Sequence, residues 1–144
     1  MAKRRGNHSS GNPAPAGRVV LGKYPDQIQV ALDAGGVFYD PTEQVLRRLE
    51  QAGIDPWRMN EAFLRQQEAE GLRFDTTLQG LTPDDVTALI EALAPLATGN
   101  VAEAQRILKA DRLPSYAQEA QWLMQNGYIA RVDKAGGWIH WDKP

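Results

Sequence analysis

The chain has 144 residues, 42% of them hydrophobic, enough for one core and too few for a second independent domain. It carries no cysteine and only two histidines, His8 and His140. This excludes disulfide frameworks, thiolate nucleophiles and zinc-thiolate sites, and makes a multi-histidine metal centre or a Ser-His-Asp triad hard to assemble. The formal net charge is −2, but Lys3, Arg4 and Arg5 fall in the tail, leaving 13 basic against 18 acidic residues from position 18 onward, a net −5. An acidic domain disfavours nucleic acid as a partner, although a local basic patch stays open.

Residues 1–17 are Gly, Ser, Asn, Pro, Ala and basic residues without apolar periodicity, and read as a basic linker that does not order by itself. Its Lys3-Arg4-Arg5 triplet reads either as solvated linker or as a nucleic-acid or import patch. No apolar run approaches the ~20 residues of a membrane span, and the N-terminus lacks the apolar centre of a secretory signal. The expectation is a soluble, monomeric domain over residues 18–144, with no membrane partner and no export address of its own.

Arg18 to Gly22 predicts a short buried strand that runs through Lys23-Tyr24 into a helix opened by Pro25 and stopped by Gly35-Gly36. Val37-Phe38-Tyr39 predicts a second strand, ending at Asp40-Pro41-Thr42-Glu43 with Asp40 as the cap of the next helix. That helix is expected to bury Val45, Leu46 and Leu49. Asp55-Pro56 opens a longer one with Met59, Phe63 and Leu64 inward. Leu72 to Leu78 alternates like a half-buried strand. Two helices follow, one capped at Thr82 and ended by Pro95, the other capped at Asn100, forming a hairpin that reads as an insertion or lid. A capping box over Ser115 to Gln118 starts the last helix, and Tyr128 to Asp133 with Gly137 to Trp141 close the chain as a hairpin.

Strands alternating with helices at this spacing predict an α/β fold. It is a small, partly parallel sheet flanked by helices, with a helical-hairpin insertion and a C-terminal β-hairpin. Ligands of such sheets bind beyond the carboxyl ends of the strands, which selects Gly22, Lys23, Tyr24, Asp40 and Asp75 to Thr77 as the neighbourhood of a site.

Within it, Lys23 can hold a phosphate and Tyr24 can stack on a base or ribose, or Tyr24 is a hydrophobic staple and Lys23 is solvated. Asp40 is a catalytic or ribose-binding acid, or a plain cap. Asn60 lies on the face expected to be buried, where its amide needs a partner, either a neighbouring strand or a ligand. Ser115 lies at the start of the last helix, and Glu119 follows one turn later. Near the sheet, Glu119 can stabilise an oxocarbenium ion or act as a general base; otherwise it is an exposed glutamate. Trp138 and His140 share a strand face opposite Trp141, so one ring is expected in the core and another over an edge.

Several of these residues form a pattern that resembles a known family. Val19-Val20-Leu21-Gly22-Lys23-Tyr24-Pro25, Gly35-Gly36, Val37-Phe38-Tyr39-Asp40-Pro41, Trp57, Asn60, Phe63-Leu64, Gly71, Phe74, Ser115-Tyr116, Glu119, Leu123 and Gly127-Tyr128 look like the C-terminal toxin domains of bacterial polymorphic toxins. Those domains end Rhs-type and filamentous-haemagglutinin-type carriers. The resemblance spans nearly all of residues 18–141; the hairpin around 81–112 is longer here, and the second strand lacks the usual Ile-Pro ending.

The resemblance implies an antibacterial effector, secreted by a carrier protein, acting in the target-cell cytoplasm and held by a cognate immunity protein. Cleaving a nicotinamide N-glycosidic bond needs a shaped crevice, a stacking aromatic and one carboxylate, with no metal or cofactor. The expectation is therefore a glycohydrolase or ADP-ribosyltransferase with NAD as its small nucleotide substrate. Glu119 and Asp40 are the catalytic candidates, and Lys23, Tyr24, Asn60 and Ser115 the ligand-binding ones. The alternatives are a ribonuclease or DNase toxin, or a non-catalytic phage or secretion-apparatus adaptor anchored through Trp138 and Trp141.

Overall fold

The computed structural model describes the backbone of Ala2–Arg5 and all of residues 17–144. In chain order the elements are β1 (Ala2–Arg5), β2 (Arg18–Leu21), α1 (Asp26–Ala34), β3 (Val37–Asp40), α2 (Glu43–Gln51), α3 (Trp57–Ala69), β4 (Arg73–Thr77), α4 (Pro83–Ala97), α5 (Val101–Leu108), α6 (Ser115–Gln125), β5 (Ile129–Asp133) and β6 (Trp138–Asp142).

From β3 to β5 the sheet runs in the order β3-β2-β4-β6-β5, with β1 added beside β3. Strands β3, β2 and β4 are parallel, and β6 and β5 turn back antiparallel as a hairpin. The fold is the expected α/β class. Within the stretch read as a linker, Ala2–Arg5 pairs antiparallel with Val37–Asp40 at the sheet edge. An edge strand offers unpaired backbone groups to any extended segment, and composition does not reveal that. Met1 and residues 6–16 lie outside the described residues.

The sheet's two faces are unlike. One carries Val19, Leu21, Val37, Tyr39, Phe74, Ile139 and Trp141 and packs against α3, α4 and α6 through Phe63, Leu64, Leu89, Trp122 and Leu123. Burying one such aliphatic or aromatic side chain contributes about 1.5–3 kcal/mol. Trp141 is wholly inside, its indole N–H donating to Thr76 Oγ1 at 2.9 Å. Over β2 and β3 the other face is covered by α1, where Val20, Phe38 and Ala31 form a small second core. Over β4, β6 and β5 it carries charged side chains.

Several elements differ from their sequence reading. Strand β4 is buried at four successive residues, not alternately, because it is central and Asp75 and Thr77 lie inside as well. Helix α2 is capped by Thr42, whose hydroxyl accepts from the Val45 amide at 3.3 Å, so Asp40 is released from that duty. No residue of α2 is fully buried. Helix α6 starts after Pro114 without a side-chain cap, so the expected Ser115 capping box does not form. Pro95 sits inside the last turn of α4, where a missing amide costs one bond without ending the helix. The α4–α5 hairpin is present as expected, and Ala92, Leu96 and Ala104 pack it on Ala117 of α6 in a third apolar cluster.

Candidate functional site

The parallel strands β2 and β3 end side by side, and the chain leaves each sharply. At Gly22, φ is +149°, and a Cβ there would stand 2.8 Å from the Thr77 carbonyl oxygen. Only glycine fits that exit without strain. Beyond it Tyr24 reaches across to β3, donating its hydroxyl to Asp40 Oδ1 at 3.0 Å. Helices α3 and α6 close the gap between the strand ends, leaving a cavity of about 240 Å³. Tyr24 and Ser115 stand at its exposed rim, while Gln27, Tyr39, Asn60 and Glu119 form its interior wall with Trp57 and Pro41.

The interior polar residues are almost inaccessible, with Gln27, Asn60 and Glu119 each 5% exposed and Tyr39 8%. Asn60 Nδ2 donates to Glu119 Oε2 at 3.1 Å, and Gln27 Nε2 donates to the Tyr39 carbonyl at 3.2 Å. The opposite ends of the same groups, Gln27 Oε1, Asn60 Oδ1, Glu119 Oε1 and the Tyr39 hydroxyl, are buried without a hydrogen-bond partner. Native interiors leave few polar atoms in that state, so four around one cavity mark it as unusual.

Electrostatics follow from burial. Desolvation raises the Glu119 carboxyl from 4.5 to about 8, against the smaller opposing pulls of the Asn60 amide and the Gly22 backbone. The acid is therefore mostly protonated at neutral pH. Burial, reinforced by the nearby Glu119, pushes the Tyr39 phenol up to about 12. None of the residues lining the cavity is a lysine, arginine, histidine or aspartate.

Of the residues singled out in the sequence, Glu119, Asn60, Tyr24 and Ser115 meet in this cavity. Asp40 stands behind Tyr24 rather than on the wall. Lys23 points elsewhere, its ammonium donating to the Gly80 carbonyl at 3.3 Å, and does not line the cavity. Gln27 and Tyr39 were missed. Gln27 lies one turn before the buried Ala31, a polar residue on an apolar stripe, which is the signal that could have found it. A wider groove of about 1100 Å³ adjoins the cavity, sharing Leu46, Pro56, Trp57 and Gln118, with Arg112 in its wall.

A second polar cluster occupies the open sheet face. Asp75 is 0% exposed; its Oδ1 lies 2.7 Å from His140 Nδ1 and its Oδ2 3.1 Å from the Arg18 guanidinium and 3.4 Å from that of Arg73. Trp138 stacks against His140, and the Arg18 guanidinium lies 4.3 Å from its ring centre. Among the described residues, no group of three or more His, Asp or Glu side chains is placed to hold a metal ion. Nor is any described helix long and apolar enough to cross a membrane.

Fold and site together define a small mixed α/β domain with a buried acid, Glu119, that has no basic side chain beside it, in a cavity between parallel strand ends and two helices. No family model, curated protein or solved structure matches the chain.

Proposed function

We propose that the domain is the effector part of a polymorphic toxin and cleaves the N-glycosidic bond of a nucleotide, NAD foremost, as a glycohydrolase or ADP-ribosyltransferase. The chemistry is supported by one observation: Glu119 is buried in a cavity with Asn60, Tyr39 and Tyr24 and has no basic side chain beside it. The toxin role rests on the sequence resemblance, and with it come the cognate immunity protein, the carrier and the target-cell cytoplasm as site of action.

In this scheme the base enters the cavity past the Tyr24 ring, and the phosphates extend into the adjoining groove, where Arg112 replaces Lys23 as the cation available to them. A positively charged pyridinium next to Glu119 favours its ionised form. Breaking the C1′–N bond sends the electron pair to the ring nitrogen, releasing neutral nicotinamide, and the carboxylate stabilises the ribosyl cation left behind. Water adds at C1′, its proton passing to Glu119 or to solvent; in the transferase variant a nucleophile of a second molecule takes the place of water. Asp40 orients the Tyr24 hydroxyl instead of meeting the substrate.

Induced expression in bacteria, following growth and NAD content together, tests this. The expected result is growth arrest with NAD loss or an ADP-ribosylated product, both abolished by Glu119→Gln. Arrest with NAD intact and no such product discards the reaction.

A ribonuclease reading has an observation of its own, since His140 is backed by the buried Asp75 on an open sheet face beside Arg18, Arg73 and Arg131. It predicts RNA degradation that His140→Ala removes and Glu119→Gln leaves. Asp75, Asp133 and Asp142 offset the three arginines there, which weakens attraction for phosphates. The adaptor reading loses one of its two anchors, because Trp141 is 2% exposed.

A further inference from the structure

We propose that the cavity between the ends of β2 and β3 and helices α3 and α6 selects a planar cation carrying N–H donors, of the amidinium or pyridinium-carboxamide kind, and rejects carboxylates. This deepens the reading above and rests on the same cavity, but it concerns recognition and holds or fails apart from any bond cleavage.

The case begins with which ends of the amides face which way. Gln27 Nε2 is taken by the Tyr39 backbone carbonyl, an acceptor that cannot change role, so Gln27 is fixed with its oxygen left over. Against an ionised Glu119, only the NH2 end of Asn60 can face the carboxylate, which again leaves the amide oxygen over. Glu119, held by the Asn60 amide and the Gly22 backbone, has no other donor, and its Oε1 is the third buried acceptor with capacity left over. Once Glu119 is ionised, above about pH 8, only the Tyr39 hydroxyl among these four atoms can donate, so the wall is then short of donors and long on acceptors.

Charge points the same way. An ionised carboxylate inside protein needs a cation, and the wall supplies none: its titratable side chains are Glu119 from α6, Tyr39 from β3 and Tyr24 from the turn before α1. What α1, α2 and α3 contribute, Gln27, Leu46, Trp57 and Asn60, is uncharged. A ligand that brings both the positive charge and the N–H groups matches what these acceptors lack. Where Glu119 is ionised, a carboxylate ligand would face acceptors with an acceptor and lie beside a like charge. The rings of Tyr24, Tyr39 and Trp57 at the same cavity suit a flat ligand.

Binding to the 144-residue protein of benzamidinium, nicotinamide and nicotinate, by calorimetry and by the side-chain amide signals of Asn60 and Gln27, tests the proposal. Above about pH 8, benzamidinium is expected to bind most tightly, nicotinamide next and nicotinate not at all. Because a cation competes with the Glu119 proton, benzamidinium affinity should rise about tenfold or more from pH 6 to pH 9, while nicotinamide affinity stays within about threefold. Glu119→Gln should remove the benzamidinium advantage and spare nicotinamide. Nicotinate bound as tightly as benzamidinium, a flat benzamidinium pH series, or no binding of any probe at millimolar concentration overturns the proposal. The pH series needs only the unaltered protein, so a variant that misfolds does not block the decision. Amidinium preference without NAD cleavage removes the proposed reaction and leaves this inference standing; cleavage without that preference does the reverse.

Discussion

Asn60 on α3 and Glu119 on α6, 59 residues apart in sequence, meet at 3.1 Å in the protein interior, the amide donating to the carboxylate. The bond lowers the Glu119 pKa, but by less than burial raises it, so the acid is held at about 8. Removing the donor should push it further up. In Asn60→Ala, the pH at which benzamidinium binding reaches half its maximum should move upward, and a ¹³C-detected titration of the Glu119 carboxyl reads the change directly. An unmoved midpoint would mean that the amide does not bear on the acid.

The same raised pKa makes stability depend on pH. Below about pH 4.5, Glu119 is protonated in both folded and unfolded chains, and its contribution is fully present. As the pH rises toward 8, the unfolded chain sheds its proton while the folded one retains it, so stability is lost progressively and levels off above the folded value. Glu119→Gln has no proton to lose. Urea unfolding of both proteins from pH 5 to pH 9 should show the variant gaining about 2–4 kcal/mol on the parent over that range. Parallel curves would show that Glu119 is ionised in the folded state throughout.

At the exit of β2, Gly22→Ala sets a methyl group 2.8 Å from the Thr77 carbonyl and 2.9 Å from its Cγ2 in a backbone conformation that suits glycine. A loss of about 2–4 kcal/mol is expected from chemical denaturation. Thr77→Ser in the same chain should restore only part of it, because the backbone oxygen remains. A neutral Gly22→Ala would mean that the strand exit is loose.

The order of strands and helices was legible because each carries a local signal. Alternating or continuous apolar runs mark the strands, and Gly35, Pro25, Pro56 and Thr82 punctuate the helices. Tyr24, Asn60, Ser115 and Glu119 were found as candidates from strand-end position and helix face alone. Their convergence depends on how α3 and α6 pack over β2 and β3, which no local pattern states. Lys23 went astray because the loop after β4 supplies Gly80 as a nearer partner, and Asp40 because Thr42 competes for the cap. The pairing of Asp75 with His140 comes from antiparallel register between strands 65 residues apart, with no trace in the sequence around either residue. Nor does composition show that β4 is central, which is why its alternation looked half-buried and is not.

That buried Asp75 should matter to folding and not to the cavity. It faces the sheet side opposite the main core and holds His140, Arg18 and Arg73 together. Asp75→Asn leaves those groups with a neutral, weaker acceptor and should cost about 2–4 kcal/mol. His140→Gln should cost less, because two guanidinium groups still face the carboxylate. Benzamidinium affinity should be unchanged in both. A loss of affinity in either variant, with the fold intact by circular dichroism, would tie the open sheet face to the cavity.

The hydrogen bond from Tyr24 to Asp40 gives a sharper test of how the rim works. Tyr24 is 42% exposed, and its hydroxyl is held at 3.0 Å by Asp40 and 3.4 Å by the Pro41 carbonyl, so the ring stands at the mouth instead of turning to water. If Asp40 acts through Tyr24, then Tyr24→Phe and Asp40→Ala should each weaken nicotinamide binding about three- to tenfold, and the double variant should be no worse than the poorer single one. Tyr24→Ala, which also removes the ring, should lose more than either, because stacking contributes on the order of 1–3 kcal/mol. Strictly additive losses would instead assign Asp40 its own contact with the ligand and return it to the catalytic set.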